Sequence, residues 1–325
     1  MPAQITIIGL GQIGTSIGLA LAEHKELTSR VGHDSDMRIA RQAEKMGAVD
    51  KIVANLPSAV RKADLVILSL PMNQIRDALE VISQDLKEGA VVMDTAPVKE
   101  IIAQWSAEIL PDKRSYVGLT PVINPVYLHQ VESGVDAARA DLFHGGLMAI
   151  ASSTGTSSEA IKLAADLTHL LGSNPLFVDT VEIDGLMAGT YILPQIMAAA
   201  LIDAIVDQPG WQEGRKVAGR AFAEATRPII HPYEPETLRT SALLNRENVL
   251  HKMDRLVASL QGIRDDIERE DSDALDQRLR RARQGCEDWW QQRMSSDWVG
   301  EQPPSVYIPK SSDWLGRLIG KRPKG

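Results

Sequence analysis

A glycine-rich turn near the start of the chain joins a short apolar run to a helical run. Residues 5–8 are apolar apart from one threonine, Gly9-Leu10-Gly11-Gln12-Ile13-Gly14 follows at once, and residues 15–22 have the composition of a helix. Strand, glycine turn and helix in this order are the context that a dinucleotide site needs. Gly9 allows the tight turn, Gly11 lets the backbone approach a pyrophosphate, and Gly14 lets helix and strand pack closely. We therefore expect the phosphates at the helix N-terminus.

A second signal for the same site is Asp34, which closes the next apolar segment. An acidic residue at this place accepts hydrogen bonds from the ribose hydroxyls of NAD and repels the 2′-phosphate of NADP. NAD is therefore the predicted cofactor, with flavin adenine dinucleotide as the chemical alternative because it uses the same turn. The further residues expected to contact the cofactor are Gln12, Ile13, Ser69, Leu70, Pro71 and Thr95.

Length, charge and cysteine content limit the class of protein. The chain has 325 residues, 44% of them hydrophobic, which is enough for two folded domains. Its net charge of −8 disfavours general binding to nucleic acid or to a membrane surface. The single cysteine, Cys286, excludes an intrachain disulfide and a cysteine metal cluster, and no metal is predicted. We expect no signal peptide and no membrane span, and hence a cytoplasmic protein.

Short apolar runs alternate with helical stretches through residues 1–181. This pattern is typical of an α/β fold with a doubly wound, mostly parallel sheet of the Rossmann type, covered by helices on both faces. Ligands of such sheets bind beyond the carboxyl ends of the strands. The predicted strands are residues 5–8, 29–32, 65–68, 90–93, 116–119, 147–151 and 175–178, and helices are predicted at 37–46 and 74–85.

Strand signals end after residue 181, so residues 182–295 are predicted to form an all-α domain. A strongly apolar helix is expected over residues 182–207, with a kink at Pro194. Apolar helices of this length need cover from other helices or from a second subunit, so we expect this half to build a homodimer. Two further helices are predicted, an amphipathic one over 247–268 and a mixed-charge one over 271–294.

The last thirty residues, 296–325, are predicted to be an extended tail with a proline pair and a basic end. Two interpretations stay open. The tail is either flexible, as chain termini usually are, or docked through its aromatic residues on the body or on a partner subunit. Those aromatic residues are Trp298, Tyr307 and Trp314.

Four further strings follow the glycine turn in a fixed order. They are DTAPVK at residues 94–99, VGLTP at 117–121, Leu193-Pro194, and Thr226-Arg227. Together with the opening GLGQIGTSIGLAL, they resemble the prephenate/arogenate dehydrogenase family of tyrosine biosynthesis over about residues 4–268. The resemblance implies an NAD-dependent oxidation in which hydride leaves a ring carbon that bears a hydroxyl. Carbon dioxide is lost in the same reaction, and the ring becomes aromatic.

The same resemblance identifies positions at which this chain departs from the family. Thr120 stands where the family has its catalytic histidine, and Pro97 stands where it has the serine that orients that histidine. Ile192 and Gln195 replace two histidines that flank Leu-Pro. A threonine hydroxyl can hydrogen-bond a substrate but is not a base on its own, so an altered catalytic centre is implied. His129 is the candidate replacement base; the alternative is an exposed loop histidine.

A small anionic substrate is expected to bind at Arg227, because a guanidinium pairs with a carboxylate through two parallel hydrogen bonds. The alternative for Arg227 is a salt bridge to a nearby acid. Gln195, Asn124 and Lys99 are the other candidate substrate-binding residues, although Lys99 could instead be a surface residue at a helix start. His231 stands beside a proline, and we expect a structural role for it.

Three functions stay open at this point. The first is an NAD-dependent dehydrogenase of the prephenate/arogenate type with an altered catalytic centre. The second is an NAD-dependent oxidoreductase that acts on another hydroxy or imino substrate bearing a carboxylate. The third is a nucleotide-bound dimeric sensor or scaffold without catalysis. Intact cofactor signals at Gly9, Gly11, Gly14 and Asp34 are compatible with all three.

Overall fold

The apolar runs of the first half assemble into one sheet in the computed structural model, which describes residues 2–130, 132–230 and 235–295. The sheet has eight strands in the order β3-β2-β1-β4-β5-β6-β7-β8. All neighbouring strands pair in parallel except β6 and β7, which are antiparallel. The strands are β1 Ala3–Ile8, β2 Thr28–His33, β3 Lys51–Ile52, β4 Leu65–Leu68, β5 Val91–Asp94, β6 Ser115–Val122, β7 Leu147–Ser152 and β8 Asn174–Asp179.

The predicted fold class is confirmed, with one strand that the sequence did not predict. The seven predicted runs correspond to β1, β2 and β4 to β8. The missed strand, β3, is two residues long and joins the edge of the sheet by pairing with Val31 and Gly32. A two-residue strand has no periodicity of its own, and Lys51 is exposed, so no hydrophobic pattern marks it.

Alternate strand residues pack on opposite faces of the sheet. Ile7 and Ile67 face one helical layer, whereas Ile8 and Leu68 face the other, which also receives Ile192 from the second domain. This alternation buries both faces, as expected of a doubly wound sheet. The helices of this domain are α1 Gln12–Leu21, α2 Met37–Lys45, α3 Leu56–Val60, α4 Ile75–Ile82, α5 Glu100–Ile109 and α6 Ser158–Leu170.

The regular elements described after β8 are all helices, joined by short loops. A kink was predicted at Pro194, and the structure has a π-helical turn, Ala188–Ile192, just before this proline. Pro194 has no N–H for the carbonyl four residues before it, and its ring crowds that carbonyl, so a wider turn fits there. The helices are α7 Thr180–Met187, α8 Leu193–Val206, α9 Trp211–Val217, α10 Arg220–Thr226, α11 Pro235–Leu244, α12 Arg246–Glu268 and α13 Ser272–Ser295. His231 and the predicted tail at 296–325 lie outside the described residues.

The α7–α8 run, Thr180–Val206, is strongly apolar and exposes Val181, Leu186 and Met197. By length and composition it could cross a membrane, although the sequence prediction expected no such span. Only 17% of its most apolar 18-residue stretch is buried, and the side chains of Leu186 and Met197 are about half exposed. An apolar helix surface of this kind also fits a contact with a second subunit.

Candidate active site

Two glycines of the turn, Gly9 and Gly14, lie against backbone atoms, whereas Gly11 faces open space. Gly9 has φ +89° and its missing Cβ would lie 2.2 Å from the carbonyl oxygen of Ser69, while a Cβ on Gly14 would lie 2.0 Å from the oxygen of Gly9. Any larger side chain at these two positions would displace backbone. A Cβ on Gly11 would meet nothing within 4 Å. The start of α1 therefore faces an open cradle, which is the shape that a pyrophosphate needs.

Asp34 lies at the carboxyl end of β2, beside this turn. Its Oδ2 accepts a hydrogen bond from the backbone N–H of Leu10 at 2.8 Å, and its Oδ1 accepts one from Asp36 at 2.8 Å. The carboxylate is thus held in place and keeps acceptor capacity for ribose hydroxyls. Arg38, a cation that could attract a 2′-phosphate, is paired with Asp36 at 2.7 Å. The arrangement fits NAD better than NADP.

The other predicted cofactor residues lie along the same edge of the sheet. The backbone N–H of Ser69 bonds to β1 at Ile8, and that of Thr95 bonds to β4 at Leu68. The two hydroxyls are in contact, with Thr95 Oγ1 donating to Ser69 Oγ at 3.4 Å. Leu70 and Pro71 follow in half-buried positions. The structure therefore brings these residues together with the glycine turn.

Gln12 and Ile13 have local contacts of their own. The side-chain amide of Gln12 donates to the carbonyl of Ala137 at 3.3 Å, and half-buried Ile13 packs against the core. Gln12 thus ties α1 to the segment that returns from β6 towards β7. Direct contacts between these two side chains and a cofactor stay predictions.

Thr120 is buried on β6, at 4% exposure, opposite Ala149 of β7. Its Oγ1 is buried and has no hydrogen-bond partner among the described residues. A buried hydroxyl without a base beside it cannot be deprotonated at neutral pH, so Thr120 alone does not supply a catalytic base. Pro97, which follows β5, offers neither a hydroxyl nor an N–H.

Lys99 is buried and paired with an acid beside the end of β5. Its ammonium lies 2.6 Å from Asp94 Oδ1, both side chains have 0% exposure, and Tyr116 donates to Asp94 Oδ2 at 2.5 Å. Burial lowers the pKa of Lys99 and raises that of Tyr116, while the Asp94 carboxylate favours the charged lysine. The alternative of a surface lysine is therefore wrong, whereas a substrate contact for Lys99 stays a prediction.

Asp184 connects the two domains at the start of α5. Its carboxylate, on α7, accepts hydrogen bonds from the backbone N–H groups of Lys99 at 2.6 Å and Glu100 at 3.1 Å. Asn245, just before α12, donates to the carbonyl of Asp184 at 2.7 Å. Burial raises the pKa of Asp184 to about 6, although both backbone N–H bonds act in the opposite direction. An acid at a helix N-terminus is favourable, which explains its place there.

The segment after β6, residues 123–130, holds two of the predicted site residues. The side-chain amide of Asn124 accepts a hydrogen bond from the Val126 N–H within this segment and donates to the carbonyl of Asp141 outside it. His129 is exposed, as the alternative interpretation expected, and its ring lies against Trp290 of α13. A catalytic role for His129 and a substrate contact for Asn124 stay predictions.

Arg227 and Gln195 lie on neighbouring elements of the helical domain. Arg227 follows α10 and donates a guanidinium N–H to the carbonyl of Gln130, so no acid partner of the predicted alternative is seen in the described residues. Gln195 on α8 donates to the carbonyl of Tyr191 at 2.8 Å and lines a small cavity with Ile229. The guanidinium of Arg227 keeps further donors for a carboxylate.

A larger cavity, about 440 Å³, lies at the opposite edge of the sheet, where β5 and β6 begin. Asp64, Lys113 and Asp166 are among its lining residues. We place the site at the carboxyl edge instead, because ligands of doubly wound sheets bind there and the glycine turn opens there.

Family models match two adjacent parts of the chain. The one described as "Prephenate dehydrogenase, nucleotide-binding domain" matches residues 17–175, and "Prephenate dehydrogenase, dimerization domain" matches residues 179–281. The chain belongs to the prephenate dehydrogenase family. The resemblance stated from the sequence strings is thereby confirmed. The apolar α7–α8 run falls inside the dimerization domain, and a subunit contact therefore accounts for its exposed surface better than a membrane does.

Similar proteins include two curated bacterial enzymes. The prephenate dehydrogenase of Bacillus subtilis is 26% identical over 279 residues, which cover 85% of this chain and 73% of that protein. The cyclohexadienyl dehydrogenase of Zymomonas mobilis is 26% identical over 278 residues, covering 83% of this chain and 90% of that protein. Both matches span the two domains of the prephenate dehydrogenase family.

A solved prephenate dehydrogenase from A. aeolicus, in complex with hydroxyphenyl propionate and NAD+, has the same fold. Its TM-score is 0.78 at 22% identity, with 89% of this chain and 98% of that chain covered. The match to a nucleotide-binding domain over residues 17–175 confirms a nucleotide-binding role for the sheet domain and supports NAD as the cofactor. The contacts of the individual cofactor residues stay predictions.

Sequence reasoning did not assign a role to several residues of this prephenate dehydrogenase family member. Asp94 and Tyr116 form the buried network around Lys99, and Trp290 and Arg293 of α13 reach the segment after β6. The sequence carries a partial signal for Asp94, which ends an apolar run as Asp34 does. Trp290 and Arg293 are far away in sequence from the residues they contact, so no local pattern could indicate the contacts.

Proposed function

We propose that the protein is an NAD-dependent dehydrogenase that oxidises and decarboxylates a cyclohexadienyl carboxylate such as prephenate or arogenate. The supporting observation is that one chain joins an open nucleotide cradle at Gly11 to a helical domain of the same family. NAD, when bound, supplies the hydride acceptor. The substrate then loses hydride from the ring carbon that bears the hydroxyl and loses the hydroxyl proton. The bond between the ring and its carboxylate breaks, and carbon dioxide leaves. The electron pair of that bond stays on the ring and makes it aromatic.

Within this proposal, the residues of the chain bind and orient the substrate. Arg227 pairs with a substrate carboxylate, and Gln195 and Thr95 offer hydrogen bonds to its polar groups. Thr120 and Pro97 replace the family's histidine and serine, so the hydroxyl proton goes to His129 or to water. General-base help is worth about 10²- to 10⁴-fold in rate, so turnover without His129 is expected to be slower by about that factor.

One observation favours a second candidate, an oxidoreductase of the same scaffold that acts on another hydroxy or imino substrate with a carboxylate. The buried Oγ1 of Thr120 stands where proton removal from a ring hydroxyl would need an imidazole. An imine substrate is reduced rather than oxidised, and its reduction needs a proton donor instead of a base. The family relationship nevertheless supports the first candidate.

The oligomeric state and the location of the protein belong to the same proposal. The dimerization-domain match and the half-exposed apolar residues of α7 and α8 support a homodimer built by the helical half. The small-molecule chemistry and a composition with one cysteine support a cytoplasmic location.

Steady-state assays with prephenate and with arogenate test the proposal, using the parent chain, Arg227→Ala and His129→Ala. We expect NADH formation by the parent with at least one compound. Arg227→Ala should raise KM for the substrate about tenfold or more while the Kd of NAD is unchanged. His129→Ala should lower kcat. Rapid turnover that His129→Ala leaves unchanged would contradict the assigned base, and no turnover with either compound would favour the second candidate.

A further inference from the structure

The segment that follows β6, which we call the β6 loop (residues 123–130), is held at both ends by guanidinium groups. Arg293 of α13 donates to the carbonyl of Ile123 at its start, and Arg227 donates to the carbonyl of Gln130 at its end. The loop leaves the sheet at the carboxyl edge, where β6 runs on past Asp94, the last residue of β5. Its position therefore affects the cleft between the nucleotide edge and the helical domain.

The last turns of α13 make a second contact with the loop. The ring of Trp290 lies 5.1 Å from that of His129, centroid to centroid, at an angle of 47°. Trp290 and Arg293 are three residues apart on one helix, so they occupy the same face and reach the loop together. The dimerization-domain match ends at residue 281, in the first half of α13. The α13 clamp, which we define as Trp290 and Arg293, is thus a feature of this chain beyond the family match.

The burial of the Arg293 guanidinium without an acid partner among the described residues is unfavourable for stability. Arg293 is 4% exposed, its Nη1 is buried without a hydrogen-bond partner, and no acid pairs with it in the described part of the chain. Other arginines of α13 have acid partners: Arg280 and Arg283 are exposed and pair with acids four residues away, and Arg278 pairs with Asp266 of α12. A buried charge without a counterion is costly, so replacing it with an apolar residue of similar length should preserve folding.

We propose that the α13 clamp positions the β6 loop so that Arg227 is oriented for the substrate carboxylate. The proposal rests on the proposed function for the identity of the substrate. Arg227 donates to Gln130, and the loop between Ile123 and Gln130 is short, so the position of one end limits the other. If the contacts of Trp290 and Arg293 with the loop are lost, the Gln130 carbonyl can move. The guanidinium of Arg227, which bonds to that carbonyl, then loses its fixed orientation. Trp290 and Arg293 are positioning residues, because neither lies at the nucleotide cradle.

Hydrogen exchange of the β6 loop and substrate kinetics together test the proposal in the full chain. We expect Arg293→Met and Trp290→Ala to speed the exchange of backbone amides within residues 123–130 and to raise KM for prephenate or arogenate about tenfold. The Kd of NAD and the Tm should stay near the parent values. Arg293→Lys and Trp290→Phe should restore part of the loss, because each keeps a donor or a ring. Arg283→Ala, an exposed position on the same helix, is the matched control and should match the parent.

Two results would overturn the proposal. One is parent-like exchange of the loop in both Arg293→Met and Trp290→Ala. The other is faster exchange with an unchanged KM, because the loop would then be held without any effect on substrate. The exchange experiment needs no substrate, so it separates this proposal from the proposed function. Absence of turnover in the parent chain contradicts the proposed function, whereas parent-like exchange in the variants contradicts the clamp.

Discussion

Gly9 and Gly14 are required by the close approach of β1, β4 and α1, not by local propensity. A Cβ at either position would lie 2.2 Å or less from a backbone oxygen, so accommodation would move backbone rather than a side chain. Gly11 differs, because it faces open space. The sequence alone predicted all three roles, since the spacing of the motif reflects this geometry.

Gly14→Ala is expected to destabilise the nucleotide domain and to weaken NAD binding. Overpacking of a filled site typically costs about 1–3 kcal/mol, and any relief moves Gly9 and the phosphate-binding turn. Urea unfolding and calorimetric NAD titration measure the two effects. Gly285→Ala is the control: its Cβ meets nothing within 4 Å on exposed α13, so it should keep or raise stability. Equal stability and NAD affinity in Gly14→Ala and the parent would contradict this account of the turn.

Asp34→Asn is expected to lower the affinity for NAD and to reduce the preference for NAD over NADP. The variant keeps an acceptor for the Leu10 N–H but loses the charge that repels a 2′-phosphate. A hydrogen bond to a charged group is worth about 1.5–3 kcal/mol, so the loss of NAD affinity should be about tenfold or more. Titration of both cofactors into parent and variant provides the measurement. NADP binding as tight as NAD binding in the parent would show that Asp34 does not face the ribose.

Asp184 gives the folded state a pH dependence with a definite sign. Its pKa is raised from 3.8 to about 6, so the folded chain holds this proton more tightly than the unfolded chain. Its contribution to the free energy of unfolding is therefore full below about pH 4 and declines as pH rises to about 6. The pKa change corresponds to about 3 kcal/mol.

Asp184→Asn removes this titration. The stability of the variant relative to the parent should therefore improve by about 2 kcal/mol between pH 4.5 and pH 7.5. Urea unfolding at both pH values measures it, with Asp203→Asn on α8 as an exposed control that should track the parent. A difference between variant and parent that is the same at both pH values would contradict the burial-driven shift.

At the scale of helices and strands, the hydrophobic periodicity of the sequence predicted the long regular elements. It did not predict the short elements that depend on contacts with residues far away in sequence. The apolar runs predicted β1 and β2 closely, and the three- and four-residue spacing predicted α12 within one residue of its observed bounds. Strand β3 and the π-helical turn at Ala188–Ile192 were not predicted, because each is short and depends on contacts with other parts of the fold.

Candidate site residues show the same division. The glycine turn, Asp34, Ser69 and Thr95 are neighbours in space because parallel strands end at one edge, which a sequence pattern can predict. The burial of Lys99 was not predicted, because it depends on Asp94 and Tyr116, which lie on two different strands. The contact of Trp290 with His129 joins residues far apart in sequence, so only the folded chain reveals it.

At the scale of the whole molecule, the two domains are joined through α5, α7 and α12. Asp184 and Asn245 connect these elements by hydrogen bonds, and Ile192 adds an apolar contact with the sheet domain. The exposed apolar residues on the remaining surface of α7 and α8 are therefore free to pack against a second copy. Stable subunit interfaces of this kind bury about 2,000 Å² or more.

Met197→Glu is expected to weaken the homodimer. Met197 lies on α8, is 45% exposed, and would place a charge in an apolar contact. Light scattering at micromolar concentration should give a dimer mass for the parent and a lower mass for the variant. Val81→Glu on α4 is the matched control, with 50% exposure outside the helical domain. A monomer mass for the parent, or a dimer that Met197→Glu leaves unchanged, would contradict the placement of this interface on α8.

The most direct measurement of the central claim is the stoichiometry of products when the parent chain is mixed with NAD and a cyclohexadienyl carboxylate. The account predicts NADH, followed by its absorbance, and carbon dioxide in equal amounts, first with prephenate and then with arogenate. It also predicts that Arg227→Ala binds NAD normally but gives both products only at higher substrate concentration. Tight NAD binding without NADH from either compound would contradict the assignment of the reaction.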